Sequence, residues 1–471
     1  MGEKTSTSRR NFLKTTTVSA ASIMVSGIVK NSKASKSAWF PGRQINPNID
    51  NLRVVCCHDE EMVTSTMGSS FSSQNSALDT DRIHYDMDLM AKFLAEKKDP
   101  AEAWATIFQQ PSGKQWSQVK VAFKVNCLYT PIMPHIAIID KICQVLNSFG
   151  VPYSNMIIYD GDSNAAGSSK YTPYTNGNGL PSGVIVSSRD TSLGGTTTIT
   201  VGGSSYTCVK HIADGTIDIL INCGVNKGHG STYGSCTLCM KNHIGTIKYR
   251  CPSSVTDLTN INSHDAIIGG TPPRQQLCIM DSILAARNGP SSSPTNPPPN
   301  RIAMGTFAPA VDFLTVRKIR EELNNWSHPD STIDKFLSNY GYTEQEIQDL
   351  VDLSPEENDG KGWLEFDPSQ TGTMHNHLKS SNMQALSFSV TGAAFKPVKK
   401  RITLSGRTIK YASIFDMKGR QISTLSLPAT GRKTITWDGR NKQGKLVRSG
   451  KYILTIRGSN SEKAVPFTLQ K

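Results

Sequence analysis

The order of elements between Val119 and Asp160 constrains this chain more than any other feature. Val119–Leu128 alternates like a strand, Ile136–Phe149 repeats apolar residues at helical spacing and stops at Gly150, and Met156–Tyr159 returns to a strand that runs into Asp160-Gly161-Asp162. A strand, a helix and a strand with short crossovers make a parallel pair, since an antiparallel pair needs only a hairpin. Upstream lie a strand at Leu52–Val55 and a helix over Ile83–Lys98 carrying Met87, Leu89, Met90, Phe93 and Leu94. Asp99-Pro100 then caps and opens a second helix with Trp104, Ile107 and Phe108. Downstream, a strand at Thr216–Asn222, a helix around Arg274–Arg287, a strand at Arg301–Phe307 and a helix at Val311–Leu323 continue the alternation. The pattern predicts an α/β fold, a large Rossmann-like domain with a mixed or parallel sheet over residues 37–391, whose function sits at the carboxyl ends of its strands. Segments 161–183 and 288–300, dense in Gly, Ser, Asn and Pro, read as surface loops, and Asp359-Gly360-Lys361-Gly362 reads as a turn without the other ligand positions of an EF-hand.

Past Gly392 the texture changes to short alternating strands punctuated by Lys418-Gly419, Asp438-Gly439, Gln443-Gly444 and Ser449-Gly450, which predicts a small all-β sandwich over 392–471. Charge divides the chain in the same places. Residues 1–36 hold seven Lys/Arg against one acid (+6), 392–471 hold eighteen against three (+15), and 37–391 hold 26 against 34 (−8). The body lacks a basic face with interleaved aromatics, and no helix-turn-helix or zinc-finger pattern occurs, which argues against nucleic acid as partner. The basic C-terminal segment suits an anionic surface polymer or the acidic face of a partner protein, or serves only as a solubilising surface. Nothing in the sequence sets the oligomeric state.

At the N-terminus, Ser8-Arg9-Arg10-Asn11-Phe12-Leu13-Lys14, a weakly apolar run from Val18 to Val29 and a small-residue exit over residues 1–36 form the pattern of a twin-arginine export signal. The run falls short of the roughly 20 apolar residues of a transmembrane helix, and no later run reaches that length. The expected destination is the periplasm or the cell surface. That route carries folded proteins and so suits a cofactor inserted before export.

All ten cysteines lie between Cys56 and Cys278. Cys223, Cys236, Cys239 and Cys251 are spaced C-x12-C-x2-C-x11-C, with His229 and His243 nearby. Cys-x2-Cys presents two sulfurs to one metal from a single turn, so this window suits an iron–sulfur cluster or zinc; the same residues also suit disulfides or buried thiols. Cys143 and Cys278 read as core residues. Vicinal Cys56-Cys57 followed by His58-Asp59-Glu60-Glu61 at a strand end offers a second metal set, Cys56, Cys57 and His58, an activated nucleophile, or plain structure. A third set is polar: Asn126, Asn226, Lys227, His229, Lys241, Asn242 and His243. If the strand ends converge, Lys227, His229, Lys241, Asn242 and His243 supply cationic and amide donors for a carboxylate or phosphate and an imidazole for proton transfer, with Asp160, Asp162, His264 and Asp265 as further contributors. No Walker loop, strand-linked Gly-x-Gly-x-x-Gly, Gly-x-Ser-x-Gly elbow, His-Glu-x-x-His or Cys-x-x-Cys-His occurs.

Two stretches resemble known families. Ile414-Phe415-Asp416-Met417-Lys418-Gly419-Arg420, Trp437-Asp438-Gly439-Arg440, Gly444 and Ser449-Gly450-Lys451-Tyr452 resemble the immunoglobulin-like domain of the flagellar hook-capping protein and related C-terminal modules of secreted bacterial proteins. That resemblance implies an immunoglobulin-like sandwich acting as spacer, surface anchor or sorting signal. Val119-Lys120-Val121-Ala122-Phe123-Lys124-Val125-Asn126, Ile157-Ile158-Tyr159-Asp160-Gly161, Asn226-Lys227-Gly228-His229 and Thr237-Leu238-Cys239-Met240-Lys241-Asn242-His243-Ile244-Gly245 resemble the family catalogued as "domain of unknown function 362", over roughly residues 52–315. The resemblance implies the family's fold and brings no reaction with it. Some members carry ferredoxin-type segments, but no Cys-x2-Cys-x2-Cys run exists here, and the positions of Cys236 and Cys239 are usually small or apolar in the family. Two functions are expected from these residues: an exported redox or electron-transfer protein with a cysteine-bound iron–sulfur or other metal centre, or a non-catalytic cell-surface protein with a disulfide-stabilised core.

Overall fold

The computed structural model describes residues 43–368 apart from 129–131, 162–168, 189–191, 230–233, 249–253, 289–293 and 296, and beyond them the strands between 388 and 469 with parts of their connections. The chain divides into two units, 1–37 and 38–471. The expected export signal and its boundary lie outside the described residues.

One nine-stranded sheet organises the body. Its strands are β1 (Arg53–His58), β2 (Val121–Lys124), β3 (Met156–Asp160), β4 (Ile185–Ser188), β7 (Ile219–Gly228), β8 (Cys236–Thr237), β10 (Gln275–Ala285), β11 (Arg301–Gly305) and β12 (Gly362–Phe366). The order is β12-β1-β11-β10-β7-β2-β3-β4, with β8 on β7. Strands β10, β7, β2, β3 and β4 run parallel, β11 is antiparallel to both β1 and β10, and β12 is parallel to β1. The fold is therefore mixed α/β with a mixed sheet. Strands β5 (Thr196–Val201), β6 (Ser204–Val209) and β9 (Ile247–Lys248) form a small antiparallel sheet beside it.

Helices cover both faces, and the alternation of side chains along each strand sorts residues between them. One layer holds α1 (Phe71–Ser76), α2 (Thr80–Ala95), α3 (Pro100–Ile107) and α4 (Ile136–Ser148), packed on Val55, Phe123, Ile158, Ile221 and Ile279. The other holds α5 (Cys239–Asn242), α6 (Val255–Asn262) and α7 (Ala308–Thr315), packed on Val54, Ala122, Tyr159, Leu220 and Met280. Capping sets the helix starts: Asp79 Oδ1 accepts from Arg82 N at 2.9 Å, and Asp99 Oδ1 accepts from Ala101 N at 2.9 Å with Pro100 at the first position. A π-helix, Val316–Leu323, continues α7. One expected element is corrected, since Arg274–Arg287 is not helix but β10, whose eleven residues are all buried. An apolar run buried on both faces has no period to tell strand from helix.

Among the described residues no helix is long and apolar enough to cross a membrane. Beyond residue 387 the described strands are all antiparallel, β13 (Phe388–Ser389), β14 (Lys400–Leu404) and β17 (Lys433–Trp437) in one sheet, and β16 (Gln421–Leu425), β15 (Tyr411–Asp416), β18 (Gly450–Arg457) and β19 (Glu462–Leu469) in another.

Candidate functional site

From β2 the chain builds outward through β3 to β4, whereas β7 and β10 lie on the other side of β2. The chain therefore changes direction between β2 and β7. The connection after β2 leads into α4 in one layer, and the connection after β7 leads through β8 into α5 in the other. Connections that diverge in this way mark the place above adjacent strand ends where an open α/β sheet usually takes its ligand.

Lys227, near the end of β7, reaches across to the residues that follow β2. Its Nζ donates to Asn126 Oδ1 at 3.1 Å and to the Leu128 carbonyl at 2.7 Å, both just past β2. The side chain is wholly buried. Burial, aided by the Lys124 ammonium, brings its amine down to about 7 against the pull of Asp160. The ammonium and the free amine thus coexist near neutral pH.

Behind it lies a saturated polar network. Lys124 Nζ donates to Asp160 Oδ1 (2.6 Å), the Val125 carbonyl (2.6 Å) and Asn242 Oδ1 (2.8 Å). Asp160 Oδ2 accepts from Cys127 N at 2.7 Å, fixing the loop that carries Asn126. A Cβ on Gly245 would lie 2.5 Å from Asp160 Oδ1, so only glycine lets this turn close over the ion pair. Asn242 Nδ2 donates to the carbonyl of Lys124 (2.9 Å) and to Asn222 Oδ1 (2.9 Å). His243 donates from Nε2 to Gln275 Oε1 (2.6 Å) and accepts at Nδ1 from the Thr246 hydroxyl (3.1 Å). Burial drops its pKa to about 3, which keeps the ring neutral.

The expected polar set is thus only partly brought together. Lys227 bonds to the residues after β2, Asn242 and His243 are locked in the supporting network, and Asn226 turns to the opposite face, where its Oδ1 accepts from Arg320 at 2.7 Å. Lys241 Nζ donates to Thr237 Oγ1 on its own turn, at 3.4 Å, and half-buried His229 lies past the end of β7. His243, expected as a proton carrier, lies buried with both ring nitrogens engaged. Sequence reasoning missed His135 and Asp281, 2.7 Å apart between Nδ1 and Oδ2. The signal was an acid inside the apolar run Leu277–Leu284, since a carboxylate buried in a strand requires a partner.

The described members of the expected metal sets do not come together. Cys223 points into the α4 layer, whereas Cys236 and Cys239 pack in the α5 layer, so the sheet separates them. Cys251 lies outside the described residues. Cys56 and Cys57, adjacent on β1, face opposite layers, and half-buried His58 ends the strand. Burial raises every one of these described thiols, Cys236 to about 12, the reverse of what a metal-binding thiolate needs. Among the described residues no three His, Cys, Asp or Glu side chains converge as a metal site. No disulfide joins the nine described cysteines, and all nine are buried. Cys57 instead adjoins the buried Asp86 and Asp59, the latter bonded to Arg82.

No curated protein matches this chain. A solved structure with local likeness is PorZ, described as an essential bacterial surface component of the type-IX secretion system of Porphyromonas gingivalis, 20% identical over 15% of this chain and 9% of that one, with a TM-score of 0.13. The likeness thus spans less than a tenth of PorZ. The stretch that carries Lys124, His135, Asp160, Lys227, Asn242 and Asp281, residues 121–317, matches the family model described as "Domain of unknown function (DUF362)".

Proposed function

We propose that a crevice between the ends of β2 and β7 is the active site of an exported enzyme in which Lys227 transfers a proton to and from a small molecule. The observation that carries this reading is the amine itself, wholly buried, bonded to Asn126 and Leu128, and brought to about 7. A base works best when its pKa lies near the operating pH, and a lysine reaches that range by burial. Asn126 and Leu128 aim the nitrogen, while Lys124, Asp160 and Asn242 hold the loop that carries them. The thiols take no part.

The N-terminal twin-arginine pattern supports work outside the cytoplasm. The +15 segment at 392–471, with its antiparallel strands and its motifs resembling an immunoglobulin-like module, supports attachment to an anionic surface polymer or an acidic partner. The test is solvent exchange. Incubated in D2O with a pool of small carbonyl and hydroxy compounds, the protein should wash deuterium into one of them, read by mass spectrometry. Lys227→Met should lower that rate at least a hundredfold, as loss of a general base does. Equal exchange by wild type and variant would sink the proposal.

A further inference from the structure

We infer that His135 and Asp281 form a second proton-transfer pair in the same crevice, acting on the same small molecule as Lys227. The inference takes its substrate from the reading of Lys227 and its geometry from different residues. Asp281 Oδ2 accepts from His135 Nδ1 at 2.7 Å and from the His135 backbone N–H at 2.8 Å, while Oδ1 accepts from Ile283 N at 3.1 Å. The carboxylate therefore fixes the ring and holds a proton on Nδ1, which in the neutral imidazole leaves the lone pair on Nε2. His135 is 1% exposed, and its Nε2 is buried with no hydrogen-bond partner among the described residues. A staple between a loop and a strand needs only the Nδ1 proton. Burying a second, unsatisfied nitrogen costs free energy that the staple does not repay, whereas a base awaiting a ligand's proton requires that nitrogen.

Placement points the same way. The connection from β2 to α4 starts where Lys227 holds Asn126 and Leu128 and ends at His135, directly before α4. Between them, Ile132 packs with Val225 and Ala286. Asp281 pairs with Val225 across β10 and β7, and Lys227 is two residues further along the same face of β7. Both bases therefore stand on the α4 side of adjacent strand ends. Phe71 lies stacked near the imidazole, 6.5 Å between centroids and 21° between planes, and Tyr171 donates its hydroxyl to the Pro134 carbonyl at 2.7 Å. These rings shield one side of the pair from water.

In the step, a C–H or O–H bond of the ligand breaks, its electron pair stays on the ligand, and the proton forms a bond to Nε2. Asp281 stabilises the imidazolium, and the proton returns to the ligand or passes to water. With Lys227 as the other base, one group removes a proton and the second delivers one, so the pair suits a proton shift within a single molecule.

The experiment uses the full chain and diethyl pyrocarbonate, which acylates the bare nitrogen of a neutral imidazole, followed by peptide mapping at a single pH. His243 is the internal reference, equally buried but with both nitrogens engaged. His135 should acylate at least tenfold faster than His243, and Asp281→Asn should slow it at least tenfold. A His135 that reacts no faster than His243 overturns the inference, and this comparison needs no variant. Lys227→Met should leave the acylation rate of His135 within twofold. Prompt acylation without deuterium wash-in rejects Lys227 and retains His135 as a reactive base; wash-in that depends on Lys227 beside an inert His135 rejects the pair alone.

Discussion

Lys227 gives the fold a pH dependence of known sign. Its pKa falls from 10.5 in the unfolded chain to about 7 in the folded one, so between those values the unfolded state binds the extra proton and stability rises with pH. Below 7 both states are protonated and the full cost of burying the charge applies, up to roughly 5 kcal/mol. Lys227→Met should therefore raise stability relative to wild type at pH 6, and the difference should shrink or reverse by pH 10. Urea unfolding of both proteins at the two pH values reads this directly. A difference that does not change with pH would mean the amine is solvated. His135 and Asp281 are hydrogen-bonded across 145 intervening residues, so spacing in the sequence had no way to pair them.

At the scale of elements, the long helices and the buried strands of the strand-helix-strand alternation were legible, and the longest buried strand was not. The polar face of α2 and the Asp99-Pro100 start of α3 mark themselves, because one side of each meets water. Strand β10 has no such side, and its eleven buried residues read equally well as a core helix. The turn that carries Lys241, Asn242 and His243 was found as a motif, yet its role depends on a residue outside it. Asp312, buried on α7, accepts from Cys239 N at 2.8 Å and from Met240 N at 2.7 Å, and so tethers the first turn of α5. Asp312→Ala leaves two buried N–H groups unpaired and should cost about 3 kcal/mol. Amide exchange should rise across residues 236–246 first, because side-chain bonds from Asn222, Asn242 and Asn262 then hold that turn without the carboxylate. Unchanged exchange there would show that the carboxylate is dispensable to α5.

The sheet, as a partition through the whole molecule, explains why a cysteine pattern that suits a metal assembles none among the described residues. Cys56, Cys208, Cys236, Cys239 and Cys278 fall in the α5 layer, and Cys57, Cys127, Cys143 and Cys223 in the α4 layer. Spacing along a chain says how far two sulfurs can be apart; it does not say whether a strand stands between them. Free, buried thiols behave as small apolar side chains, and burial suppresses the thiolate that reagents attack. In the native protein these nine should resist Ellman's reagent at pH 8 and then react on addition of urea. Strands β7 and β10 are buried along their whole lengths and contribute side chains to both layers, so neither layer can open without exposing the other's floor. Release should follow one phase that tracks the loss of far-UV circular dichroism. Two phases, resolved by mapping the labelled peptides to one layer before the other, would mean that a layer peels from the sheet on its own. A thiol that reacts at once in the folded protein would reopen the case for a reactive cysteine at that position.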